Sequence, residues 1–92
     1  MRAKSTTAAA LPLIRAGDKA RDERRWADAA QAYQAALELA PKKVGIWVQL
    51  GHARKEAGDL DGAGEAYRRS LSLDPNIADT HLPLGHLLKM QS

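Results

Sequence analysis

The sequence predicts an all-α fold built as an α-solenoid of antiparallel helix pairs, five helices in all. Three observations lead there. Strand formers are scarce: Phe is absent, β-branched residues are few, and alanine is abundant. Gly and Pro recur at regular intervals instead of in clusters. Sliding the sequence along itself by 34 positions aligns Gly17 with Gly51 and Gly85, Ala29 with Ala63, Ala32 with Ala66 and Tyr33 with Tyr67. The same shift aligns Leu37 with Leu71, Leu39 with Leu73 and Pro41 with Pro75. A repeat of that length is one supersecondary unit, and such a unit buries its apolar face only by stacking on its neighbours.

Each element has a local reason. Residues 1–10 show no apolar periodicity and are expected as a flexible tail. The first unit, 11–43, holds helices over about 11–23 and 26–40, with Pro41 ending the second. The second unit, 44–77, opens with a helix over about 44–57. Gly58 ends it by adopting the left-handed conformation that other residues resist. Asp59 or Asp61 can cap the next helix, expected over 60–73. Asp74-Pro75 stops that helix, because Pro disfavours helical geometry in the residue before it. Residues 78–92 are expected to hold the first helix of a third unit, over about 78–90. Pro83 falls near its first turn, where a missing N–H costs little.

The spacing within a unit explains how the helices meet. Gly17, Ala29, Gly51 and Ala63 are small residues at points of close helix approach. Tyr33 and Tyr67, with Ala36 and Ser70 a turn later, are expected to fill the gap between one pair and the next. Trp47, Leu50 and Gly51 form one stripe at i, i+3 and i+4.

Composition bounds the function. The 92 residues make one domain, which buries roughly 60–65% of its unfolded surface. Such a core leaves no room to wall in a large substrate cavity. With no Cys, disulfides and thiolate metal sites are excluded. No apolar run approaches the roughly 18–20 residues of a membrane span, so no membrane partner is expected. Cytoplasm is the default location.

These residues resemble a tetratricopeptide repeat. That family's unit carries an aromatic and a Leu-Gly pair in its first helix, then Ala, an aromatic, Ala and Pro in its second. The second unit matches at Trp47, Leu50-Gly51, Ala63, Tyr67 and Pro75. It departs at Arg54, where the family has a first-helix Tyr, and at Ser70, where it has Ala. The first unit matches at Gly17, Ala29, Tyr33, Ala36 and Pro41, with Leu13 and Ala20 in place of the first-helix aromatics. The third keeps Leu84-Gly85 but has His81 for the Trp. The resemblance spans residues 11 to about 90.

The resemblance implies a right-handed superhelix whose first helices line a concave groove that binds a peptide or a partner's helix. Carried over, the groove candidates are Ile14, Asp18, Arg21, Val48, Gln49, His52, Lys55, Leu82, His86 and Lys89. They form an apolar row (Ile14, Val48, Leu82), a mixed polar row (Asp18, His52, His86) and a basic row (Arg21, Lys55, Lys89). Such a groove suits a protein or peptide partner of hydrophobic and acidic character. The plainer alternative packs Ile14, Val48 and Leu82 against their own neighbours and leaves the cations as solvated groups. Two subclasses of the family are disfavoured. At the positions that grip a chaperone's terminal carboxylate stand Ile14, Asp18, Gln49, Asp79 and Pro83. An Asn ladder is replaced by Arg15, Gln49 and Pro83.

The remaining signals are weak. The net charge of +3 comes partly from Arg24-Arg25, Lys42-Lys43 and Arg68-Arg69, which lie apart, interleaved with acids and without a free aromatic platform. Specific nucleic-acid binding is therefore not expected, and a weak basic nucleic-acid module is the third-ranked reading. His81 and His86 are five apart and diverge around a helix, and no acid or Cys completes a metal set. No nucleophile–base constellation is present. Gly62-Ala63-Gly64 lies inside a helix with no strand before it, so it is not a phosphate loop. No cofactor, metal or catalysis is expected.

The chain end carries its own expectation. His81, Leu84, Gly85 and Leu88 make an apolar stripe that a following helix would cover, a poor solenoid cap. The expectation is an N-terminal fragment of a larger protein, able to form a homo-oligomer through this helix. Ala/Arg-rich repeats of this look also precede catalytic domains such as glycosyltransferases in large bacterial proteins. An enzyme appendage is accordingly the second reading beside a non-catalytic interaction scaffold.

Overall fold

The computed structural model describes residues 2–76. They form four α-helices: α1 (Arg2–Asp22), α2 (Trp26–Leu39), α3 (Val44–Glu56) and α4 (Leu60–Leu73). No strand occurs among the described residues. The fold class is all-α as expected, with four described helices in place of five; the helix expected over about 78–90 lies outside the described residues.

Helices pack in chain order, α1 on α2, α2 on α3 and α3 on α4. The register within a pair follows from its contacts. Gly17 lies against Tyr33, while Ala10 clusters with Ala36 and Ala40. Numbers fall on α1 as they rise on α2, so the two run antiparallel. In the second pair Gly51 meets Tyr67 in the same way, 34 positions on. One core then crosses both pairs. It joins Ala20 of α1, Ala29, Tyr33 and Leu37 of α2, Leu50 and Ala53 of α3 and Ala66 of α4. The tyrosine rings are thus seated first within each pair, on a glycine, and not only in the gap between pairs.

One expectation about α1 is corrected. The helix was expected to start at Leu11, with residues 1–10 as a tail; it starts at Arg2. Alanines favour the helix, and Ala10 is wholly buried against Ala36 and Ala40. That burial holds the helix through Pro12, whose missing N–H removes one backbone bond.

Both pairs use the same turn. Arg24 N–H donates to the Arg21 carbonyl at 2.9 Å and Arg25 N–H to the Ala20 carbonyl at 2.8 Å. Gly58 and Asp59 repeat these bonds to Lys55 and Arg54 at 3.0 and 2.8 Å. This double bond closes a helix on a left-handed residue. Gly58 takes φ 91° freely, whereas Arg24 is forced to φ 61°. A side chain in that region costs about 1–2 kcal/mol, so Arg24→Gly is expected to stabilise by about 1 kcal/mol after the flexibility of Gly is counted. Denaturant unfolding checks this, and an unchanged or lower midpoint contradicts it. After Gly58, the Asp59 carboxylate accepts from Gly62 N–H at 2.9 Å and caps α4, deciding between the two expected caps. Asp74 is extended, with φ −144° and ψ 94°, as a residue before Pro requires.

Candidate functional site

The first helix of each pair presents a stripe at i, i+4 and i+7, which one helical face carries. On α1 the stripe is Ile14, Asp18 and Arg21; on α3 it is Val48, His52 and Lys55. All six are half-buried, as is Gln49 beside Val48. Ile14 packs with Leu13 and Leu39 against the cluster of Ala10, Ala36 and Ala40. The other groove candidates, Leu82, His86 and Lys89, and the self-association candidates, His81, Leu84, Gly85 and Leu88, lie outside the described residues.

The two stripes differ in how they spend their polar groups. On α1 the Asp18 carboxylate accepts from the Tyr33 hydroxyl at 2.7 Å and pairs with Arg21 at 3.5 Å. Arg21 also pairs with Asp22 at 3.1 Å and donates to the Gln49 side-chain oxygen at 3.3 Å. The structure thereby brings Asp18, Arg21 and Gln49 into one network that ties α1 to α3. On α3 the residue at the Asp18 position is His52. Its ring stands edge-on to Trp26 with centroids 5.3 Å apart. Among the described residues Lys55 forms its ion pair with its chain neighbour Glu56, at 3.8 Å.

The tyrosines register the same difference. The Tyr33 hydroxyl is satisfied by Asp18, and burial, then that bond, pushes its pKa up. The Tyr67 hydroxyl is buried with no hydrogen-bond partner among the described residues. Burial, then the charge of Glu56, pushes it up to about 12. Tyr33→Phe is expected to cost about 1–1.5 kcal/mol through the lost bond, while Tyr67→Phe is neutral or slightly stabilising because it removes an unpaired polar atom. Urea unfolding of the two variants side by side checks the contrast; equal costs contradict it. The raised Tyr67 value also favours folding fully below about pH 10. That contribution is lost as pH climbs toward about 12, because only the unfolded chain then ionises readily.

Sequence reasoning missed the work of Arg54. It donates to the Gly62 carbonyl at 3.1 Å and to the Gln34 side-chain oxygen at 3.1 Å, joining α3 to both α4 and α2. Its place where the family has an aromatic was the available signal. An open cleft of about 340 Å³ adjoins it, lined by Leu37, Pro41, Trp47, Leu50 and Arg69 among others. Trp47 donates its ring N–H to the Pro41 carbonyl at 2.7 Å, and the Arg69 guanidinium lies 5.3 Å from its ring centre. Among the described residues no group of three or more His, Cys, Asp or Glu is placed to hold a metal ion. No described helix is long and apolar enough to cross a membrane.

Comparison with known proteins bears on the repeat directly. Residues 51–92 match the family model described as TPR repeat, the tetratricopeptide repeat. The stretch takes in the end of α3, all of α4 and residues beyond the described ones. It supports the family inferred from Trp47, Leu50-Gly51, Ala63, Tyr67 and Pro75. No curated protein matches the chain.

Proposed function

We propose that this chain, carrying tetratricopeptide repeats, is a non-catalytic module that binds a segment of another protein on the face made by α1 and α3. Such repeats generally mediate protein–protein interaction. The observation that carries the reading is the equivalence of α1 and α3 at 34 positions. Each seats a glycine on the tyrosine of its partner helix and ends in the same two-bond turn. Helices held alike present alike, so Ile14 and Val48 fall in one apolar row and Asp18 and His52 in one polar row. A segment laid along them buries apolar side chains in the first row.

Val48→Glu tests the face. Val48 is half-buried on the α3 stripe, so the change places a charge in the apolar row with modest cost to the fold. The expected result is loss of binding to short peptides carrying Leu and Glu, by about tenfold or more, at an unfolding midpoint close to wild type. Unaltered binding would show that this face is not the site.

A further inference from the structure

The two stripes of the binding face are not equivalent in charge, and this fixes where a partner's acidic group meets the chain. Arg21 is spent internally: Asp18 at 3.5 Å, Asp22 at 3.1 Å and Gln49 at 3.3 Å surround its guanidinium. Asp18 is spent as well, on Tyr33 and Arg21. The α1 stripe therefore holds its cation between two acids and an amide, and Arg21 meets a ligand's carboxylate already partnered within the chain.

The shift by 34 positions turns Asp18 into His52 and Arg21 into Lys55. Of the two acids that meet Arg21, Asp18 has no counterpart in the second stripe, whereas Asp22 has one in Glu56. His52 rests on Trp26 and brings no negative charge. Glu56 is the acid nearest Lys55, 3.8 Å away, but it is the next residue in the helix and so stands about 100° round the axis. Consecutive helical residues do not face each other, and Arg21–Asp22 is a neighbour pair of the same kind; what Lys55 lacks is a counterpart of Asp18 one turn before it. Lys55 itself is partly sheltered, with 22% of its side chain exposed, so its charge is less screened than a free surface lysine's.

We infer that Lys55, and not Arg21, is the residue that reads a carboxylate on the bound segment, with Val48 two turns before it taking an adjacent apolar side chain. Arg21 is a positioning residue. Because a guanidinium only donates, Gln49 must turn its oxygen toward Arg21, which fixes the amide and ties α3 to α1. The occupant is thus a partner segment with an apolar residue followed by an acid, and the match is one of charge complementarity. This inference rests on the binding face proposed above.

Two peptide arrays test it, one carrying Leu and Glu in all spacings and one with Gln for every Glu. The intact chain is expected to prefer the Glu array by about tenfold. Lys55→Ala should abolish that preference without moving the unfolding midpoint. Arg21→Ala should lower the midpoint yet keep the preference. Lys55→Arg, which keeps the charge, should retain it. Equal binding of both arrays by the intact chain, or a preference lost in Arg21→Ala and kept in Lys55→Ala, overturns the assignment and leaves the binding face standing. Binding to neither array, or binding indifferent to Val48→Glu, removes the face itself and the assignment with it.

Discussion

Leu50→Ala is expected to lower stability by about 3 kcal/mol, the largest effect of any single truncation considered. Leu50 is 0% exposed and sits in the core that draws on all four helices. Its neighbours there are mostly alanines, with Tyr33 and Leu37 the larger members. Alanines cannot swing into a void, so the space left by the missing carbons stays open and the cavity cost adds to the lost transfer energy. For a chain this short the change corresponds to a fall in Tm of roughly 10–20 °C. Leu73→Ala is the control, since Leu73 is 38% exposed and its loss should change little. Thermal unfolding followed by circular dichroism measures both. A small effect at Leu50 would mean that the two helix pairs do not share a core.

Gly51→Ala is the second large effect, and it acts by overfilling. A Cβ at Gly51 would run into the ring of Tyr67, as one at Gly17 would lie 2.5 Å from Cε1 of Tyr33. Tyr67 is 1% exposed, so its ring cannot simply step aside. Overpacking of this kind costs about 1–3 kcal/mol, against about 1 kcal/mol gained from the better helix propensity of Ala. The net expectation is a loss of about 2 kcal/mol, the excess over the midpoint arising because the obstacle is a fixed ring. Gly45→Ala supplies the contrast: nothing lies near that Cβ, so there the propensity gain should stand alone. Stabilisation by Gly51→Ala would contradict the close approach of α3 and α4.

What the sequence made legible was whatever repeats or is local. The 34-residue offset picked out Gly17, Gly51, Tyr33 and Tyr67 as packing positions but set the rings between pairs, whereas each lies on the glycine of its own pair; the breaks at Pro41, Gly58 and Pro75 placed helix ends to within a residue or two. The start of α1 was hidden, because it depends on the burial of Ala10 by residues nearly thirty positions away. The candidate stripe was legible as a pattern but not in its electrostatics. That Arg21 is partnered within the chain follows from the distances to Asp18, Asp22 and Gln49, which spacing alone does not give. The left-handed Arg24 could have been found by carrying Gly58 back by 34 positions. The bridging role of Arg54 could not, since its partners Gln34 and Gly62 come from two different helices.

Backbone amide chemical-shift mapping with a Leu- and Glu-bearing peptide tests the binding face most directly. Binding on α1 and α3 predicts that the largest perturbations fall at Ile14, Val48, His52 and Lys55, with the outer helices quiet. Perturbations centred instead on Trp47, Leu37 and Arg69 would place the peptide in the cleft between α2 and α4 and contradict the proposed face.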